Sequence, residues 1–281
     1  MHIQWYPGHM TKTKRMIQEN LRLVDVVVEM LDARIPLSSK NPDLDMLAQN
    51  KRRVVVLNKA GLANEAITNM WRAHYENRGF TVVATDCIDG KGIAAVAAAT
   101  KKAVADKREK LKAKGRISFT TRAMILGIPN VGKSTLINKI AKKNAAKTAD
   151  KPGVTRDKQW IRVDNELELL DTPGVLWPKF DDQAVGINLA ITGAVKDDIL
   201  DVQQLAKCLL EIFAEINPQA IAERYKLDAL PASVDELLLA IGTKRGFLLK
   251  GGEIDELRAA VTLLDEFRAG KLGRVTLERP L

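Results

Sequence analysis

The chain of 281 residues is 46% hydrophobic and 28% charged, a balance that excludes a disordered protein and allows one large domain or two ordinary ones. Its formal net charge of +9 favours a polyanionic partner, with nucleic acid as the first candidate and an anionic membrane surface as the second. The sequence has no apolar run long enough to span a membrane and no apolar signal region at its start, so we expect a cytoplasmic protein without stable membrane association.

The first third of the chain alternates between strand and helix patterns. A turn signal with aromatic residues at 5–10 and a basic stretch at 12–15 lead into a helical pattern that continues through Leu21. Three β-branched apolar runs follow, separated by helical patterns, at 24–31, 53–59 and 81–84. A helix rich in alanine and lysine is then predicted from Ile93 to Lys114. This alternation predicts a mostly parallel α/β sheet whose ligands bind at the carboxyl ends of the strands.

A phosphate-binding loop (P-loop) follows the next apolar run, at 122–127. The sequence from Gly127 to Ser134 reads G-x-x-x-x-G-K-S, and a helical pattern begins at its lysine. The two glycines let the backbone N–H groups turn towards phosphates, Lys133 is expected to reach the β- and γ-phosphates, and Ser134 is expected to bind Mg²⁺. An ordinary glycine-rich turn is the alternative, but it does not explain the lysine and the serine. The other nucleotide contacts expected here are Asn130, Val131, Gly132 and Thr135.

Two further elements lie beyond this loop and complete a phosphate switch. A basic loop ends at Thr155, which is placed to bind Mg²⁺ when the γ-phosphate is present, the behaviour of a segment that orders and disorders with the nucleotide. A hairpin is predicted at 159–163 and 166–170, and its second strand runs into Asp171-Thr-Pro-Gly174. Asp171 is expected to hold Mg²⁺, and the N–H group of Gly174 is expected to contact the γ-phosphate.

Two elements that would read the base precede the P-loop. Asn58-Lys59-Ala60-Gly61 resembles the guanine-reading N-K-x-D element, in which Asn58 would buttress the P-loop and the stem of Lys59 would cover the base. The turn Thr85-Asp86-Cys87 is expected to approach guanine O6, with Cys87 packed rather than reactive. Gly61 lacks the carboxylate that accepts hydrogen bonds from guanine N1 and N2, so we expect GTP binding with weakened discrimination against other bases.

The last third of the chain reads as helical. Beyond Trp177-Pro178, helical apolar spacing recurs without a convincing strand, at 182–194, 201–216, 218–226, 233–241 and 253–269. We therefore predict a GTPase domain with a basic N-terminal segment at 1–177 and a helical domain at 178–281.

The order of the motifs is unusual, because both base-reading elements come before the P-loop. Circular permutation explains this order, since compact domains bring their termini close together. With Trp5-Tyr-Pro-Gly-His-Met, Asp32-Ala-Arg34 and Asp171-Thr-Pro-Gly174, the whole chain resembles the circularly permuted GTPases, and most closely the ribosome biogenesis GTPase A family (RbgA, also called YlqF). Asp32 and Arg34 would either form a local ion pair or contact RNA.

The resemblance implies a cytoplasmic bacterial GTPase that binds the precursor of the large ribosomal subunit and its ribosomal RNA as a late assembly factor. It further implies hydrolysis stimulated by the ribosome and by K⁺, with Asn130 at the position for K⁺; a role in bracing the loop is the alternative. We expect a monomer off the ribosome. The competing hypothesis is an RNA-binding scaffold in which the nucleotide is mainly structural.

The group that activates water is expected to come from outside the switch segments. Val175 follows Gly174 where Ras-like proteins carry a water-orienting glutamine, and valine has no group for that task. The resemblance implies that His9 is brought to the γ-phosphate when the ribosome orders the N-terminal segment. An imidazole can orient water or accept its proton near neutral pH. A structural role or an RNA contact is the alternative for His9.

Overall fold

The computed structural model describes residues 10–115, 118–145, 160–172, 174, 182–195 and 200–280. Within these residues the strands are β1 (Val26–Asp32), β2 (Arg52–Asn58), β3 (Thr81–Ala84), β4 (Thr121–Gly127), β5 (Trp160–Asp164) and β6 (Leu167–Leu170). The helices of the first half are α1 (Met10–Leu21), α2 (Asp43–Leu47), α3 (Glu65–Asn77), α4 (Ile93–Lys102), α5 (Ala105–Ala113) and α6 (Lys133–Ala145). Those of the second half are α7 (Gln183–Ile191), α8 (Val202–Ile216), α9 (Pro218–Tyr225), α10 (Val234–Arg245) and α11 (Glu256–Arg268). None of these helices is both long and apolar enough to cross a bilayer.

The six strands form one sheet in the order β3-β2-β1-β4-β6-β5. Every neighbouring pair is parallel except β5 and β6, which form the predicted hairpin. The chain builds outwards from β1 to β3 and then returns to place β4 on the other side of β1. The loops that follow β1 and β4 therefore diverge, and such a point at the carboxyl edge of a sheet is where ligands bind. The prediction of a mostly parallel sheet is confirmed.

Both faces of the sheet are covered, which explains why β1 is apolar almost throughout and wholly buried. On one face α4 and α6 pack against alternate strand residues such as Val28 and Ile125. On the other face α1 covers Val27, and α3 places Trp71 against the neighbouring strand. Burying each large apolar side chain contributes about 1.5–3 kcal/mol, so this double cover holds the strand ends rigidly in register.

The region between β3 and β4 differs from its prediction. Instead of one helix from Ile93 to Lys114, the chain forms α4 and α5, with a break at Ala103 and Val104. Val104 is buried in the main core, whereas α5 buries none of its residues. The chain turns at this point to bury one valine and then leaves the core, because α5 has no apolar face to hold it there.

Helices α7–α11 match the five helical segments predicted for the second half. Four of them, α7, α8, α10 and α11, are preceded by a capping residue whose side chain accepts a hydrogen bond from a first-turn N–H group: Asp182, Asp201, Ser233 and Asp255. Their apolar faces join the hydrophobic cluster that covers one face of the sheet, so a single buried core runs from the strands into the helices.

After α11 the chain returns to the sheet through residues 274–278, here named the C-terminal tail. The N–H group of Val275 donates to the Leu62 carbonyl at 3.0 Å, and that of Leu277 donates to the Arg34 carbonyl at 2.8 Å. The carboxylate of Glu278 accepts from the N–H groups of Leu37 at 2.7 Å and Ser38 at 3.0 Å. The tail therefore packs against the loops that follow β1 and β2.

Candidate nucleotide-binding site

The loop between β4 and α6 has the close backbone approach that a P-loop needs. Gly132 has φ +105°, and a Cβ there would lie 2.4 Å from Nδ2 of Asn58. A Cβ at Gly127 would lie 2.6 Å from the Met30 carbonyl oxygen. Only glycine fits either position. The helix α6 begins directly at Lys133, so its first-turn N–H groups face the loop without intrahelical partners and can receive an anion.

Lys133 lies buried beneath this loop. Its ammonium donates to the carbonyls of Gly127 at 3.0 Å and Ile128 at 2.8 Å. Burial lowers the pKa of Lys133 to about 8, and the negative charge of Asp171 only partly opposes this effect. A bound phosphate would supply the charge that this partly desolvated cation lacks.

A cleft of about 580 Å³ opens above the lysine. Its described lining consists of Pro129, Asn130, Lys133, Ser134, Asp171, Thr172 and Gly174. The helix N-terminus, the lysine and the polar side chains therefore share one space, which suits a triphosphate.

Asp171 and Ser134 have the oxygen donors that Mg²⁺ prefers. Oδ1 of Asp171 is buried and has no hydrogen-bond partner among the described residues. Ser134 lines the same cleft with its side chain exposed. A buried carboxylate oxygen without a donor and a hydroxyl in the same cleft fit a hard divalent cation.

Gly174 brings the segment after β6 against the P-loop. A Cβ at Gly174 would lie 2.8 Å from Cα of Pro129 and 3.1 Å from the ammonium of Lys133. The preceding Thr172 anchors this segment, since its hydroxyl donates to the Ile125 carbonyl of β4. The backbone of Gly174 therefore lies in the cleft beside the P-loop and Lys133, and its contact with the γ-phosphate stays a prediction.

Asn58 links the P-loop to the two segments that the sequence predicts to read the base. Its Nδ2 donates to the Val131 carbonyl of the P-loop at 2.7 Å. Its Oδ1 accepts from the hydroxyl of Thr85 at 3.0 Å and from the N–H group of Cys87 at 3.1 Å. One buried amide thus joins the end of β2, the turn after β3 and the P-loop.

Lys59 contacts the ion pair of Asp32 and Arg34. The sequence indicated that ion pair but not its contact with Lys59. Its ammonium lies 2.9 Å from Oδ2 of Asp32, which also pairs with Arg34 at 2.7 Å. Burial would raise the pKa of Asp32, but the charges of Arg34 and Lys59 outweigh it and hold that pKa well below its usual range. Asp32 and Arg34 are both buried, so they form the local ion pair and not an RNA contact. The register that pairs Asp32 with Asn58 places the next residue, Lys59, beside the carboxylate.

The turn after β3 lies against the Asn58 segment. The N–H group of Ala60 donates to the Thr85 carbonyl at 3.0 Å, and that of Gly61 donates to Oδ2 of Asp86 at 3.2 Å. Cys87 is buried, and burial raises the pKa of its thiol to about 11, which fits packing rather than reactivity.

Asn130 makes a contact that the sequence did not indicate. The residue has φ +58°, and its Nδ2 donates to the Gly193 carbonyl, just after α7, at 2.7 Å. The P-loop is thereby tied to the helical half of the chain. Three further expectations, the roles of His9 and Thr155 and the domain boundary at 177/178, lie outside the described residues.

Comparisons with known proteins agree with this geometry. The family model described as 50S ribosome-binding GTPase matches residues 122–230, which begin at the P-loop strand. A Bacillus cereus protein named ribosome biogenesis GTPase A is 50% identical over 280 residues, covering 100% of this chain and 95% of the relative. A protein of the same name from Thermotoga maritima is 33% identical over 278 residues, covering 99% and 95%. The crystal structure of GNP-bound YlqF from T. maritima matches with a TM-score of 0.68 and 30% identity, covering 96% of this chain and 98% of that one.

Proposed function

The chain belongs to the ribosome biogenesis GTPase A family, and on that premise we propose that it acts as a late assembly factor on the precursor of the large ribosomal subunit. The observation that carries the proposal is the cleft in which Lys133, Ser134 and Asp171 come together. A cation for the phosphates, with a hydroxyl and a carboxylate for Mg²⁺, is the set of groups that GTP hydrolysis requires.

Each group in the cleft has a separate task. The first-turn N–H groups of α6 and the ammonium of Lys133 hold the β- and γ-phosphates. Ser134 and Asp171, with Thr155 when the γ-phosphate is present, would hold Mg²⁺. Bound there, Mg²⁺ neutralises charge on the phosphates. Gly174 would contact the γ-phosphate through its N–H group.

Water activation and the monovalent ion complete the proposal. Val175 cannot orient water, so His9 takes that task once the N-terminal segment is placed at the γ-phosphate. We assign K⁺ to the side-chain oxygen of Asn130, because its amide nitrogen is already bonded to Gly193. Family members with this arrangement would hydrolyse GTP slowly until a partner positions the histidine.

The partner proposed is ribosomal RNA of the large-subunit precursor, in the cytoplasm. The chain carries an excess of positive charge, and Lys110 and Lys112 of α5, with Lys114 just after it, are exposed. Phosphate contacts of this kind release counterions and weaken steeply with salt. We propose that residues 178–281 form the helical domain that joins this interaction and that the protein is a monomer off the ribosome.

The test is GTP turnover by the full chain with and without purified large ribosomal subunits. We expect stimulation of about tenfold or more, because binding to the ribosome would order the N-terminal segment and place His9 at the γ-phosphate. Lys133→Ala should abolish turnover in both conditions, and the matched variant Lys102→Ala, on an exposed lysine of α4, should leave it unchanged. Salt-sensitive binding to the subunit without any stimulation would instead identify an RNA-binding scaffold and overturn the proposal.

A further inference from the structure

The base-reading element of this chain lacks a carboxylate at Gly61, but a carboxylate from elsewhere occupies the space beside it. A Cβ at Gly61 would lie 2.5 Å from Oδ2 of Asp86, which is closer than real Cβ contacts allow. The backbone N–H group of Gly61 donates to the same oxygen at 3.2 Å. The side chain of Asp86 therefore fills the position that a larger side chain at 61 would need.

The carboxylate of Asp86 is fixed in orientation. Its Oδ1 accepts from the N–H groups of Ile88 at 3.0 Å and Asp89 at 3.2 Å. These two bonds occupy Oδ1, whereas among the described residues Oδ2 accepts a hydrogen bond only from the N–H group of Gly61. An ionised carboxylate has about four acceptor sites, so Oδ2 keeps capacity for a further donor.

The carboxylate of Asp86 has backbone donors but no ion-pair partner among the described residues. The residue is 9% exposed, and the nearby ammonium of Lys139 donates to the Ile88 carbonyl of the same turn. A nearly buried carboxylate without a cation calls for strong hydrogen-bond donors. Its neighbours in sequence, Thr85 and Cys87, both bond to Asn58, which places Asp86 beside the segment expected to read the base.

We propose that the carboxylate of Asp86 reads guanine in this chain, accepting through Oδ2 from the N1–H and 2-amino groups in place of a residue-61 side chain. The inference rests on the proposed function, since a guanine nucleotide in this cleft supplies those donors. It also explains Gly61, because a second carboxylate there would meet the first at contact distance. The guanine-reading charge has moved from the loop after β2 to the turn after β3.

The proposal fixes an order of nucleotide preference from base chemistry alone. Guanine presents donors at N1 and at the 2-amino group, inosine keeps only N1–H, and xanthine carries a carbonyl oxygen at C2. Adenine has an acceptor at N1, which faces a carboxylate unfavourably. The full chain should therefore bind GTP most tightly, ITP less tightly, and XTP and ATP weakly.

The decisive variant is Asp86→Asn, because an amide keeps the oxygen for Ile88 and Asp89 and adds a donor for the xanthine carbonyl. It loses the bond from the Gly61 N–H group with every nucleotide alike, so the ratio of affinities is the measurement that reports base reading. Calorimetric titration of the full chain with GTP, ITP, XTP and ATP, without ribosomes, should show the GTP/XTP affinity ratio falling about 100-fold. The matched control is Asp89→Asn, an exposed aspartate of the same turn, and its ratio should equal that of the wild type. A ratio unchanged by Asp86→Asn, or GTP and XTP affinities lowered equally, would overturn the proposal.

A rescue separates base reading from support of the turn. Asp86→Ser keeps a short acceptor for the turn but loses the carboxylate, and it should weaken GTP binding about 10-fold or more. Adding Gly61→Asp to Asp86→Ser should recover the preference for GTP, since the clash is gone and a carboxylate is restored. Failure of this rescue would contradict the proposal.

The two proposals fail in different ways. A wild-type chain that binds GTP and ATP equally would remove guanine recognition and the inference with it. If the wild type prefers GTP and Asp86→Asn leaves that preference unchanged, only the role of Asp86 is overturned. Absence of ribosomal stimulation, measured separately, would remove the assembly function and leave the base-reading result standing.

Discussion

Asn58 is a buried side chain that joins the end of β2, the turn after β3 and the P-loop. Its amide satisfies the Val131 carbonyl, the Thr85 hydroxyl and the Cys87 N–H group at once, in a place without solvent. Such a fully satisfied buried group stabilises a unique arrangement, and its removal leaves three polar groups without partners.

Asn58→Ala should therefore lower the free energy of unfolding by about 2–4 kcal/mol and weaken nucleotide binding. Urea denaturation monitored by circular dichroism measures the first effect and calorimetry the second. Asn77→Ala, at the exposed end of α3, is the control and should change stability by less than about 0.5 kcal/mol. Equal stabilities of the two variants would show that the amide is not a structural link.

Individual site residues were predictable where their chemistry is local. The spacing of Gly127, Gly132, Lys133 and Ser134 specifies a P-loop without any knowledge of the fold. The relation between Gly61 and Asp86 was not predictable in this way. It depends on two turns, 25 residues apart in the chain, that meet only after β2 and β3 pair.

At the scale of elements, one glutamate of α11 ties together the last turns of α9 and α10. Glu266 accepts from Arg224 at 2.9 Å, from Arg245 at 2.8 Å and from the Tyr225 hydroxyl at 2.9 Å. Hydrogen bonds from Arg224 are the largest cause that holds the pKa of Glu266 at about 2, against the opposing effect of burial; Tyr225 and Arg245 add to it. Three helices of the second half are thus joined through one ionised group.

This arrangement makes the stability of the helices depend on acid pH. Because the folded pKa is depressed, the contribution is fully present above the unfolded value near 4.3 and is lost as pH falls towards about 2. At neutral pH, Glu266→Gln should destabilise the chain by about 3 kcal/mol, and the difference from wild type should shrink by about half at pH 3.

Urea titrations between pH 7 and pH 3 measure this difference. Glu215→Gln, on the exposed side of α8, is the control and should follow the wild type throughout. If the gap between wild type and Glu266→Gln stayed constant with pH, the stabilisation would come from packing and not from the ionised carboxylate.

Helix and strand bounds followed largely from apolar periodicity, and the failure between Ile93 and Lys114 has a clear cause. Alanine and lysine dominate that segment and favour helix, and the β-branched Val104 gives only a weak signal for a break. The break arises from the burial of Val104 against the sheet, which is a tertiary contact. Local patterns predict an element but not the point at which packing interrupts it.

At the scale of the whole molecule, the C-terminal tail joins the helical half to the loop after β2, which is predicted to read the base. Arg274 donates to the carbonyls of Ala63 at 2.9 Å and Ala60 at 3.2 Å, and the hydroxyl of Thr276 accepts from the Asn64 N–H group at 3.0 Å. The loop that carries Lys59 and Gly61 therefore rests on residues from the far end of the chain.

Arg274→Ala should loosen this loop and weaken GTP binding about threefold to tenfold, since it removes two partly exposed hydrogen bonds to the backbone. Hydrogen exchange of the amides at 60–64 should accelerate, while that of α6 should not change. The exposed Lys271 in the same stretch provides the control, Lys271→Ala. Unchanged exchange at 60–64 would show that the loop holds its shape without the tail.

The overall architecture was predictable in outline from the order of motifs and the alternation of strands with helices. The tail was not, because its contacts join residues more than 200 positions apart and follow no local pattern. The continuous core from the sheet into α7–α11 could not be predicted from the sequence for the same reason.

The C-terminal tail also affects the order in which the protein can fold during its synthesis. Glu278 lies 241 residues after Leu37, which its carboxylate holds, and Arg274 lies 211 residues after Ala63. At about 5–20 residues per second, synthesis leaves the base-reading loop without its support for roughly 10–50 s. A nascent chain that already contains Lys133 therefore still lacks part of what shapes its guanine pocket. We therefore expect the chain to bind nucleotide only late in translation. A product truncated before the tail would contain the P-loop but lack the contacts that support the loop after β2.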